Sequence, residues 1–113
     1  MSERVLSLLL NDLIDSISNI LEFTKGMTQD DYEGDLKTKQ AVERNFEIIG
    51  EATSRIPTEF KTQFPQINWR ELKDFRNFII HNYFGIDNNI VWDVIQFSLP
   101  DLLEQIELLR NQI

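Results

Sequence analysis

Cysteine is absent from this chain, which excludes a disulfide framework, a thiolate metal site and a cysteine nucleophile, and fits a reducing compartment. Histidine occurs once, at His81, so no His-x3-His zinc pair can form, and the sequence predicts neither metal nor cofactor. The acidic run Asp30, Asp31, Glu33 and Asp35 lacks the spacing of a calcium loop and reads as a solvated surface loop, Met27 to Asp35, with room for one short turn. No Gly-x-Ser-x-Gly elbow is present, which removes support for a serine hydrolase. Long apolar runs are missing too. The first one begins at Val5 and is soon broken by Asn11, Asp12 and Asp15. It is too short to span a bilayer, and no small-residue cleavage site follows. A basic amphipathic helix for a membrane surface is also lacking. The expectation is a cytoplasmic protein with no membrane partner.

Positive charge is the remaining scarcity. Eleven lysines and arginines stand against nineteen acids, for a net charge of −8. That favours solubility and a basic partner, and it is the opposite of the usual basic footprint of a nucleic-acid binder.

What the chain does have is helical periodicity over a length suited to one domain, residues 1–113. Leu6, Leu9, Leu10, Leu13, Ile14, Ile17, Ile20 and Leu21 recur at three- and four-residue steps, predicting a helix from about Ser2 to Lys25 that Gly26 ends. A second helix is expected from about Asp35 to Ile56, with Val42, Phe46, Ile49 and Ile56 inward and Pro57 stopping it. Gly50, in its middle, costs roughly 1 kcal/mol relative to alanine unless another helix passes close by. Asn45 lies beside the apolar stripe and needs a partner. A short helical turn starts at Thr58. Asn68 and Glu71 then form a capping-box-like start for a third helix, Trp69 to about Phe84. Gly85 and Ile86 would close it, and Asp87 or Asn88 would cap the fourth. The apolar spacing of that last helix continues across Pro100, which predicts a kink rather than a stop. No strand pattern occurs. The economical fold is all-α: an up-and-down four-helix bundle with a short extra helical turn.

The third helix is unusual for a core element. On a helical wheel Leu72, Phe75, Phe78, Ile79 and Tyr83 gather on one side, while Arg70, Lys73, Asn77 and His81 share another arc with Arg76 at its edge. Ile80 and Phe84 point into that polar arc. An apolar pair among polar groups implies a covered face, and a second copy of the helix across a two-fold axis is the simplest cover. A homodimer would bring two arginines and two histidines into one cleft. Each residue alone has a plainer reading: a structural histidine, a packed tyrosine, an ion pair from Arg76 to Glu47 or Glu51.

Together, however, Arg76-x4-His81-x-Tyr83, with Asn77 directly after the arginine, resembles the HEPN-domain family and more closely its HepT-like toxin branch. Arg44-Asn-Phe-Glu-Ile-Ile-Gly-Glu-Ala52, Trp69-Arg-Glu71 and Gly85-Ile-Asp87 carry the same resemblance along nearly the whole chain. It implies a dimeric helical bundle acting as a metal-independent endoribonuclease on RNA. The partner it implies is a cognate minimal nucleotidyltransferase antitoxin, which neutralises such toxins by AMPylation of the motif tyrosine. Carried over by position, Arg76 and His81 would be catalytic, Asn77 would support them, and Tyr83 would be the modified residue. Arg70, Lys73 and Arg44 would supply positive charge for RNA, with Arg55 able to add to it. The competing expectation is a non-catalytic module that partners a nucleotidyltransferase and binds nucleotide or substrate in the same cleft. The acidic balance suits that alternative.

Overall fold

The computed structural model describes the backbone of residues 1–83 and 88–113, and the side chains of these apart from Phe78 and residues 80–83. Among the described residues every regular element is helical. The first, α1 (Glu3–Phe23), starts where the Ser2 hydroxyl accepts from the Val5 amide at 3.2 Å. It ends at Thr24, whose hydroxyl donates to the Ile20 carbonyl at 2.8 Å. Gly26 follows with φ +77°, the left-handed turn that a glycine takes without a Cβ penalty.

In the acidic segment that follows, residues Gln29–Glu33 form the short helical turn that the loop reading allowed, α2. Thr28 and Asp31 close a reciprocal capping box: the Asp31 amide donates to the Thr28 hydroxyl at 3.1 Å, and the Thr28 amide donates to the Asp31 carboxylate at 3.0 Å. One acid of the run is thus a cap. Another, Asp35, caps α3 (Leu36–Arg55) by accepting from the Thr38 amide at 3.1 Å and the Thr38 hydroxyl at 2.9 Å. Those bonds to the charged form hold the Asp35 carboxyl below its ordinary pKa.

The helix α4 (Thr58–Gln63) starts where the sequence places a turn. It leads to α5 (Trp69–Tyr83), opened by the Asn68 side chain accepting from the Glu71 amide at 3.0 Å. The expected ending at Gly85 and Ile86, and the cap at Asp87, lie outside the described residues, as does Phe84. The last run divides into α6 (Asn88–Asp93), a π turn (Val94–Ser98) and α7 (Leu99–Arg110). At the π turn the Leu99 amide reaches back five residues to the Val94 carbonyl. Pro100 explains it: proline has no amide to give and its ring crowds the carbonyl four residues back, so the chain widens by one residue there. The feature read from sequence as a kink is this wider turn.

Two short helices, α2 and α4, thus sit in the connections, where one extra turn is expected. The long helices pack in the order α5–α3–α1–α7. Leu10, Leu13, Ile17 and Ile20 of α1 meet Val42, Phe46 and Ile49 of α3, with Leu72, Phe75 and Ile79 of α5 and Ile95, Leu99, Ile106 and Leu109 of the last run, all buried. Each such side chain stabilises by roughly 1.5–3 kcal/mol, far above the 0–1 kcal/mol or so of an exposed ion pair. Asn45 finds its partners inside this layer. Its amide donates to the Ala41 carbonyl at 2.8 Å, and its oxygen accepts from Asn19 at 3.2 Å.

Tyr32 is the anchor of α2 and the core residue the periodicity does not reveal. It is 1% exposed, and its ring lies 5.5 Å from that of Trp92. Its hydroxyl is buried without a hydrogen-bond partner among the described residues. Burial, and secondarily the neighbouring Glu43 carboxylate, push its pKa up. A buried polar group without a partner costs about 1–3 kcal/mol. Tyr32→Phe, which removes the hydroxyl and keeps the ring, is therefore expected to leave stability unchanged or raise it by up to about 1 kcal/mol in urea unfolding. A clear loss on unfolding would mean that the hydroxyl has a partner after all.

Candidate active site

The geometry of the polar helix face starts with a glycine. A Cβ at Gly50 would stand 2.7 Å from the Arg76 Cβ, 3.1 Å from the Arg76 amide nitrogen and 3.3 Å from the Lys73 carbonyl. Gly50 therefore marks where α3 and α5 touch backbone to backbone, and the α5 residue at the touching point is Arg76. The neighbour of Gly50 completes the arrangement. Glu51 accepts from Arg76 Nη1 on Oε2 at 3.1 Å and from Arg55 Nη2 on Oε1 at 3.0 Å. Of the two ion-pair partners open to Arg76 from the sequence, the structure selects Glu51. Glu47 instead pairs with Arg44 at 3.2 Å.

These residues line a cleft of about 510 Å³ between α1, α3 and α5, in which Arg44, Arg55 and Arg76 face Asp12, Glu47 and Glu51. Three cations against three carboxylates make the cleft balanced, on a chain that is otherwise strongly acidic. Arg76 and Glu51 keep about half of their side-chain surface open to solvent, 53% and 50%. Each guanidinium there retains N–H groups free to turn toward an incoming anion.

The other predicted residues divide. Asn77 is exposed on α5 beside Arg76, and Lys73 is exposed one turn earlier. Partial burial, and secondarily the nearby Lys73 charge, lower the pKa of Lys61 of α4. Arg44 joins Arg76 in the cleft. Arg70 does not: it reaches Asp74 at 4.0 Å and lines a separate depression of about 350 Å³ formed with Ile90 and Val94. His81 and Tyr83 belong to α5 by backbone, and their side chains lie outside the described residues. The side chain of Ile80 and the whole of Phe84, the apolar pair of that face, also lie outside the described residues. Arg55, expected to add positive charge, and Glu51, expected as one of two partners of Arg76, both line the cleft, whereas Asp12 of α1 joins it without having been singled out. The pairing of Glu51 with Arg55 follows from the i,i+4 spacing of opposite charges on α3. Among the described residues no three histidine or acidic side chains converge as a metal site would require, and no helix is long and apolar enough to cross a membrane.

Among the described residues the chain is thus all-helical, with an exposed Arg-Asn step on α5 beside a cleft lined by three arginines and three carboxylates. Residues 13–109 match the family described as "Ribonuclease HepT-like", and the chain belongs to that family, as the motifs of α3 and α5 lead one to expect. It is 42% identical over 102 residues to "Probable ribonuclease HepT" of Thermococcus cleftensis, covering 90% of this chain and 93% of that protein. It is 36% identical over 104 residues to "Putative RNase MJ0127" of Methanocaldococcus jannaschii, covering 92% and 86%. With "Putative RNase MJ1380" of the same organism the identity is 34% over 108 residues, covering 96% and 99%. No solved structure matches the chain.

Proposed function

We propose that this chain is an endoribonuclease that cuts RNA without a metal, the toxin half of a toxin–antitoxin pair, working as a homodimeric four-helix bundle. The observation that carries the reading is the family match over residues 13–109, joined to the presence of Arg76 in a cleft shared with Arg44 and Arg55.

The chemistry follows from the residue types. The RNA 2′-oxygen attacks the adjacent phosphorus while the bond from phosphorus to the 5′-oxygen breaks, leaving a 2′,3′-cyclic phosphate and a 5′-hydroxyl. One proton leaves the 2′-hydroxyl and another must reach the departing 5′-oxygen. Histidine serves either transfer near neutrality. The chain has one histidine, so a two-fold cleft that pairs His81 with its copy supplies both. Arg76 stays charged and forks onto the phosphoryl oxygens as charge builds there. Asn77, one turn before His81, orients the imidazole or holds a phosphate oxygen. Arg44, Lys73 and Arg70 add long-range attraction, which falls with salt. Tyr83, two residues beyond His81, is the position a partner nucleotidyltransferase would AMPylate, adding bulk and negative charge where an RNA phosphate has to sit.

One observation favours the alternative, a non-catalytic partner module: the cleft arginines are already matched by carboxylates. The deciding experiment is RNA cleavage by the purified protein in excess chelator, with Tyr83 shown to be unmodified by intact mass. Cleavage that leaves cyclic phosphate ends is expected. Inert protein on several RNA classes would hand the assignment to the module.

A further inference from the structure

We infer that Gly50 and Glu51 form a positioning device for Arg76, with Glu51 its active part. This rests on the ribonuclease reading and goes beyond it, because the motif on α5 does not contain either residue. Gly50 pins the root of the arginine, since only a residue without a Cβ lets the Arg76 backbone come this near. Glu51, the next residue, pins the tip through Nη1 at 3.1 Å. A long, flexible side chain is thus held at both ends by consecutive residues of the neighbouring helix. Orienting a charged group before the reaction is worth rate, because the group need not be ordered as the transition state forms.

A carboxylate beside a phosphate-binding arginine carries an obvious objection: it should cancel the charge. Arg55 answers it. Glu51 gives one oxygen to each guanidinium, so the triad of Arg55, Glu51 and Arg76 keeps one net positive charge. Only Nη1 of Arg76 is engaged by Glu51, and the guanidinium's remaining N–H donors stay available for a phosphoryl oxygen. A pair without Arg55 would orient the arginine and neutralise it. The triad orients it and leaves it cationic.

The test is steady-state cleavage by Glu51→Gln, Glu51→Asp and Arg76→Ala, and by Glu51→Gln combined with Arg76→Ala. Glu51 is half exposed, so Glu51→Gln should fold with an unaltered thermal midpoint, which circular dichroism checks. Its kcat is expected to fall about tenfold at an unchanged KM, as the loss of one orienting contact would produce. Glu51→Asp should recover part of the loss. In the Arg76→Ala background Glu51→Gln should cost nothing more, because the group it positions is gone. In nitrogen-15 spectra the Arg76 side-chain N–H signals should turn from restricted to freely rotating in Glu51→Gln. An unaltered kcat in Glu51→Gln, or the same loss with and without Arg76, would overturn the inference while leaving the ribonuclease reading standing. A wild type that cuts no RNA would remove both.

Discussion

Gly50→Leu is expected to lower the stability of this domain by about 3 kcal/mol, and Gly50→Ala by about 1 kcal/mol. The sign is not obvious for alanine. In an exposed helix interior, glycine to alanine gains roughly 1 kcal/mol of propensity, and a mid-helix glycine would ordinarily be a target for stabilisation. Here the new Cβ meets Arg76 Cβ at 2.7 Å, and behind it backbone atoms of α5 at 3.1 and 3.3 Å. A flexible side-chain tip could swing aside; a Cβ and a backbone cannot move without the helix that carries them. Packing extra atoms into such a contact costs about 1–3 kcal/mol or more, which exceeds the propensity gain. At several degrees per kcal/mol for a domain of this size, Gly50→Leu should melt on the order of 15 °C below wild type. Paired urea titrations of the two variants would check the order. If Gly50→Ala proved more stable than wild type, α5 would have to be free to slide off α3, and Arg76 would not be held where it is.

That contact also shows how far the sequence could be read. The apolar spacing of α1 and α3, the cap at Asn68 and the stop at Pro57 are local signals, each resting on neighbours three or four residues away, and these elements appear where the pattern puts them. Gly50 is legible as a close approach because a glycine inside a helix demands a reason. The identity of its partner is not, since Arg76 is 26 positions on, and only the packing of α3 on α5 brings them together. The helix α2 is legible only as room for a short turn, because its five residues hold one apolar position, Tyr32, too few for a period to show. Arg70 was grouped with the other polar residues of α5, yet it stands six positions before Arg76, about 240° around the helix. A wheel gives angles without neighbours, and the neighbours here, α3 on one side and α6 on the other, divide the two arginines between separate depressions.

His81→Ala is expected to reduce RNA cleavage by about a thousandfold or more, the upper range of what one acid–base group supplies. The reason is a matter of symmetry. If the chain works as the proposed homodimer with a shared two-fold cleft, one substitution removes both histidines, and the proton acceptor for the 2′-hydroxyl and the proton donor for the 5′-oxygen vanish together. Groups that act as a unit lose nearly all of their effect when either fails, which gives a second and sharper expectation. Dimers that combine one wild-type chain with one His81→Ala chain should be almost as inactive as the fully substituted dimer, because each half of the reaction needs a different imidazole. If each chain worked alone, the mixed dimer would keep about half the wild-type rate. Acid and base roles also set the pH profile. One imidazole must be neutral while the other is charged, so the rate should fall on the acid side as the base is protonated and on the alkaline side as the acid is lost. A rate that rises steadily through pH 9, with His81→Ala near wild type, would place the proton transfers elsewhere and leave Arg76 to act by charge alone.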